Sequence, residues 1–166
     1  MTLSNTYREN EILELLQEIV DPEIPVLTIQ DIGMLRGVEV TANEVVVKIT
    51  PTYVGCPAMG VIEEDILKLL QDKGIVPSRV ETVLSPAWTT DWITDEAKTK
   101  LENYGIAPPM EKTSDKSTLT GKPKYVRCPQ CRSEQVEMVS QFGSTACKSL
   151  YKCKDCLEPF DYFKCI

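Results

Sequence analysis

Cys128-Pro129-Gln130-Cys131 and Cys153-Lys154-Asp155-Cys156 are two Cys-x-x-Cys turns separated by 21 residues, and no other feature limits the fold of this chain as tightly. Each turn directs two thiolates toward one point, and two turns together supply a tetrahedral S₄ site. The segments between them, Glu134 to Ser140 and Ser144 to Lys152, have β-type composition around Phe142-Gly143, which is the make-up of a β-rich zinc ribbon. Residues 125–166 number only 42, too few to bury a sufficient apolar core. A structural zinc contributes on the order of 10–16 kcal/mol, so the metal substitutes for that core. Four protein ligands leave no open position, and the site therefore reads as structural rather than catalytic. Disulfide pairing, and iron in a mononuclear or cluster site, are the alternatives that the spacing leaves open. Cys147 and Cys165 have two readings: buried small residues beside the knuckles, or secondary thiols that exchange with a ligand or transiently hold iron.

The chain has seven cysteines, an odd number, and its N-terminus lacks a basic stretch followed by an apolar one. A reducing, cytoplasmic setting is the expectation, in which metal binding outranks disulfides. No run approaches the roughly 18–20 apolar residues of a membrane span. Histidine is absent, which removes Ser-His-Asp and Cys-His catalytic arrangements and the Glu-x-x-His pairs of di-iron bundles. Residues 1–106 carry 8 Lys/Arg against 18 Asp/Glu, a net of −10, and residues 125–166 carry 6 against 5. Such a balance argues against a nucleic-acid partner, whose backbone requires a basic surface.

Upstream of the cysteine turns the pattern changes. Ile12, Leu13, Leu15, Leu16, Ile19 and Val20 recur at helical spacing until Asp21-Pro22 stops them. Gly37–Thr41 and Glu44–Thr50 alternate as strands around Ala42-Asn43, a hairpin. Pro57 to Lys73 is a second amphipathic helix ended by Gly74, and Arg79 to Leu84 a third strand. Thr94 caps a last short helix, Asp95 to Tyr104, closed by Gly105. The expected fold is α+β: residues 1–106 form a helix–hairpin–helix–strand domain with helices on one face of a sheet, followed by the ribbon at 125–166. Residues 107–124 are polar, contain three prolines and read as a flexible linker. Trp88 and Trp92 suit either an exposed partner surface or packing against the sheet.

One loop of the front domain has chemical logic of its own. In Thr50-Pro51-Thr52-Tyr53-Val54-Gly55-Cys56-Pro57-Ala58, Pro57 suits the first position of a helix and places Cys56 at its cap. Free backbone N–H groups and the positive helix end there lower a thiol pKa, poising Cys56 as a nucleophile or soft-metal ligand. A buried structural cysteine is the competing reading.

That loop, together with Asp21-Pro22-Glu23-Ile24 and Asp31-Ile32-Gly33, resembles the family of small metal–sulfur cluster biosynthesis factors over about residues 8–85. Downstream, Ser85–Ile93, Gly105–Pro109, Phe142–Lys148, Glu158-Pro159-Phe160 and Phe163-Lys164-Cys165 resemble the PaaD family. Its members are phenylacetate-degradation accessory proteins, also called the D subunits of phenylacetyl-CoA 1,2-epoxidase. The resemblance implies a non-catalytic role in aerobic phenylacetate catabolism: supporting iron–sulfur cluster assembly or repair in the ring-epoxidising oxygenase/reductase system, with the iron–sulfur reductase and the oxygenase subunits as partners. It implies that Cys56 handles transient iron or a cluster, with Asp21 and Glu23 as supporting acids. A structural or coupling subunit of that oxygenase is the alternative.

Overall fold

The computed structural model describes residues 8–110 and 125–164; the expected linker from 111 onward and Cys165 lie outside them. The chain divides into two compact units, Met1–Trp88 and Thr89–Ile166.

In the first unit, α1 (Glu9–Leu15) runs into a 3₁₀ turn (Leu16–Glu18), a shorter element than the apolar spacing up to Val20 suggests. Ile12 and Leu16 are fully buried, whereas Val20 leaves the helical path to bridge Thr28. A tightly turned loop then leads to β1 (Leu35–Val40), β2 (Val45–Ile49), α2 (Ala58–Asp72) and β3 (Ser78–Thr82). The sheet order is β1-β2-β3, antiparallel for the hairpin and parallel between β2 and β3. The parallel pair needs a crossover, and α2 supplies it. Central β2 is apolar and buried at Val45, Val46, Val47 and Ile49, which fits a strand covered on both faces. Ala58, Ile62, Ile66 and Leu70, four apart, form the buried stripe of α2, and Gly74 at φ +73° ends it. Trp88 is packed rather than displayed: its indole N–H donates to the Ile32 carbonyl at 2.9 Å and the side chain is buried.

The second unit contains α3 (Asp95–Tyr104), capped by the Thr94 hydroxyl accepting from the Ala97 N–H and closed by Gly105 at φ +96°. It is followed by a four-stranded sheet of order β4-β7-β6-β5, where β4 is Ile106–Ala107, β5 Val136–Ser140, β6 Lys148–Cys153 and β7 Pro159–Phe163. β4 pairs in parallel with β7. Ile106 and Ala107 thus form the edge of the second sheet. Arg127 also joins α3 to the ribbon through Glu102 at 3.1 Å. Tyr151 stacks on Phe160 and meets Tyr162 edge-on, at centroid distances of 6.0 and 5.7 Å.

Candidate functional site

The two Cys-x-x-Cys turns meet. Cys128 and Cys131 lie in the turn before β5, Cys153 ends β6, and Cys156 sits in the β6–β7 turn. Their sulfurs all lie within 4.8 Å of one another, with Cys128–Cys156 at 3.6 Å and Cys131–Cys153 at 3.5 Å. A tetrahedral metal with thiolate bonds of about 2.3 Å requires S···S separations near 3.8 Å, whereas a disulfide requires about 2.05 Å. The donor set and its spacing fit a four-thiolate metal ion.

The turns hold these sulfurs by local hydrogen bonds. Arg132 at φ +63° donates its N–H to the Cys128 carbonyl, and the Cys128 N–H donates to the Ser133 carbonyl. The N–H groups of Cys156 and Asp155 stabilise the Cys153 thiolate against the cost of burial and bring its pKa down to about 7. At Cys156 the Glu158 N–H favours ionisation, yet burial and the thiols of Cys131, Cys128 and Cys153 push the group up to about 12. Four thiolates this close cannot coexist without a cation, which is the electrostatic reason for a metal here.

Cys147 stands just before β6, and Cys153 closes that strand. Six residues at about 3.3 Å each put roughly 20 Å between them, so Cys147 is not a neighbour of the knuckles. Its buried sulfur contacts the Thr145 hydroxyl at 3.0 Å.

In the first unit, Cys56 is buried, at 7% exposure. The structure brings Asp21 and Glu23 into its electrostatic neighbourhood, although the two segments are more than thirty residues apart in sequence. The thiol pKa is raised, contrary to the expectation from the helix end. Burial is the largest cause; the Ala58 N–H and the Tyr53 side chain oppose it, while Glu23 and, more weakly, Asp21 reinforce it. The helix begins at Ala58 with Pro57 at its cap, one residue later than the sequence suggests. One favourable N–H does not outweigh desolvation and two carboxylates. The surroundings of Cys56 therefore favour the protonated thiol over the thiolate.

Asp21 has a structural task as well. Its Oδ1 accepts from the N–H groups of Glu23 (2.7 Å) and Ile24 (3.0 Å), and its own N–H donates to the Leu27 carbonyl. Thr50, which opens the cysteine loop, was not singled out by its sequence context. It is 1% exposed, and its hydroxyl is the one buried side-chain polar atom without a hydrogen-bond partner among the described residues. The signal available was a threonine directly after the buried strand β2, where another apolar residue would be cheaper to bury. The four-cysteine group is the converging ligand set among the described residues; Cys56, Asp21 and Glu23 approach one another without forming such a set.

The charge arrangement gives a direct prediction. Glu23→Gln removes the larger carboxylate influence, so the Cys56 pKa falls toward 9. Alkylation of the Cys56 peptide by iodoacetamide, resolved by mass spectrometry across pH 7–10.5, should begin at lower pH in the variant. An unchanged profile would show that Glu23 does not act on the thiol.

A domain of this fold joined to a four-cysteine ribbon is the architecture that two family models describe. The family model for "Iron-sulfur cluster assembly protein" matches residues 9–84, and that for the "PaaD zinc beta ribbon domain" matches residues 112–164. The chain is 49% identical over 157 residues to an Escherichia coli (strain K12) protein provisionally named as the D subunit of 1,2-phenylacetyl-CoA epoxidase, covering 95% of this chain and 93% of that one. It is 35% identical to an Fe-S protein maturation auxiliary factor of Porphyromonas gingivalis (strain ATCC BAA-308 / W83), over 56% of this chain and 90% of the relative. A crystal structure of a domain of unknown function, DUF59, from Bacillus anthracis superposes with a TM-score of 0.53 at 29% identity, over 56% of this chain and 90% of that one. The chain belongs to the PaaD family, that of the phenylacetyl-CoA epoxidase D subunits. Cys56, Asp21 and Glu23 lie inside the cluster-assembly match, and the four knuckle cysteines inside the ribbon match.

Proposed function

We propose that this chain is a non-catalytic, cytoplasmic accessory factor that supports iron–sulfur cluster assembly or repair in the oxygenase/reductase system of a phenylacetyl-CoA epoxidase. The observation that carries this reading is the buried Cys56 thiol with Glu23 and Asp21 beside it. A thiol with two carboxylates nearby attracts iron rather than an anionic substrate. A single thiol outside any converged ligand set holds such a cargo incompletely, and the missing ligands have to come from the recipient. Incomplete ligation suits transfer better than storage. The family memberships of the two halves support the same role, since relatives of the front half are named as Fe-S maturation auxiliary factors. No described helix is long and apolar enough to cross a membrane. In this reading zinc occupies the four knuckle cysteines and stabilises a ribbon that recognises the recipient.

The test is the iron and labile-sulfide content of the reductase subunit co-produced with wild type or with Cys56→Ser. A full cluster beside wild type and a depleted one beside the variant is the expected result. Equal content in both cases would remove Cys56 from the mechanism and favour a stoichiometric coupling subunit, detectable as a fixed-ratio complex in size-exclusion chromatography.

A further inference from the structure

The neighbours of Cys56 in sequence are unusually bare. Val54, two residues before it, is 89% exposed, and Gly55 follows at φ +81° with no atom within 4 Å of the position a Cβ would occupy. Pro57 is exposed, Gly60 opens onto free space, and Val61 is 46% exposed. Helical spacing sets Pro57, Gly60 and Val61 on one face of the first turn of α2, opposite the buried stripe of Ala58, Ile62 and Ile66. A single exposed valine means little, but here two valines and a proline flank one buried thiol with no charged side chain among residues 50–62. The next turn then supplies Glu63, Glu64 and Asp65, all exposed.

We infer that Val54, Pro57 and Val61, bordered by Glu63, Glu64 and Asp65, form a docking surface for a protein partner that presents an apolar contact edged by Lys or Arg. The charge decides the occupant. Residues 1–88 carry 6 Lys/Arg against 14 Asp/Glu, a net of −8, so a second copy would meet like charge and an anionic lipid surface would be repelled. A basic-rimmed protein gains from the same field, in encounter rate and in orientation. Docking here sets the partner directly over Cys56, where its own ligand residues can complete the coordination that the thiol begins. The face serves the proposed maturation function, and its assignment rests on that reading.

The experiment measures binding of the purified reductase and oxygenase subunits, each as the probe, to the full zinc-loaded chain. Four proteins are compared: wild type, Val54→Asp/Val61→Asp, Glu63→Lys/Glu64→Lys/Asp65→Lys, and Cys56→Ser. All the docking positions are exposed, and unchanged thermal unfolding confirms that the variants fold. At least one of the two probes should bind wild type and Cys56→Ser alike, and each docking variant about tenfold more weakly. The wild-type affinity should also fall as salt rises from about 50 to 300 mM. Equal binding by the docking variants, or no binding of either probe by wild type, overturns the surface. Cluster content read in the same samples separates the two ideas: docking variants that bind normally beside a Cys56→Ser that fails to load would reject the surface and keep the maturation role.

Discussion

Replacing Cys153 with serine, or stripping the metal with a strong chelator, is expected to unfold the ribbon while leaving residues 8–88 folded. The core of the ribbon consists of Ala107, Val126, Cys128, Tyr151, Cys153, Phe160 and Tyr162. Two of those seven, Cys128 and Cys153, belong to the four-cysteine group, so a metal held there would be part of the core. Structural zinc contributes about 10–16 kcal/mol, whereas whole domains are stable by only about 5–15 kcal/mol. Among the described ribbon residues, the Tyr151 contacts with Phe160 and Tyr162 add only about 0.5–1.5 kcal/mol each beyond their burial. Elemental analysis should return one zinc per chain, and cobalt substitution should give the intense thiolate-to-metal bands of a four-sulfur site. Peptide-resolved hydrogen exchange after chelation should show loss of protection across β5, β6 and β7 and none across β2 and α2. A Cys153→Ser chain that retains protected ribbon strands without metal would contradict this account.

The fold was legible in the sequence where local chemistry dominates. The Asp95–Tyr104 helix announced both its ends, because a threonine cap and a left-handed glycine are local signals. The knuckle cysteines were equally plain, since spacing within a turn decides where thiolates point. Strand β4 was hidden: two residues, Ile106 and Ala107, carry no periodicity, and only their pairing with β7 makes them a strand. The electrostatic environment of Cys56 was not legible in the sequence. A helix end can be read along the chain, whereas the burial of the thiol and the approach of Glu23 and Asp21 arise only when distant segments pack. The same holds for Trp88, whose bond to the Ile32 carbonyl spans 56 positions and turned an ambiguous aromatic into a core residue.

Asp21 should separate structure from chemistry in the proposed site. Asp21→Ala deletes the acceptor of two short hydrogen bonds, taking that partner from the Glu23 N–H and leaving the Ile24 N–H only its longer bond to the Asp21 carbonyl (3.2 Å), in a loop whose centre, Ile24 and Leu27, is buried. Bonds to a charged acceptor are worth about 1.5–3 kcal/mol each, and the loop can relax around part of the loss, so about 2–4 kcal/mol of stability should disappear. In Asp21→Asn the amide oxygen accepts the same two bonds, and the cost should stay near 1 kcal/mol or below. Urea unfolding of the zinc-saturated chain measures both. The asparagine variant removes only the carboxylate charge, which raises the Cys56 pKa less than Glu23 does. Its Cys56 alkylation profile should therefore shift to lower pH, by less than that of Glu23→Gln. If Asp21→Asn is as unstable as Asp21→Ala, the carboxylate charge itself holds the loop, and the division between the turn's architecture and the thiol's electrostatics fails. If it is stable yet leaves the reductase without its cluster, the acid acts on the cargo at Cys56, because the loop that carries it has not moved.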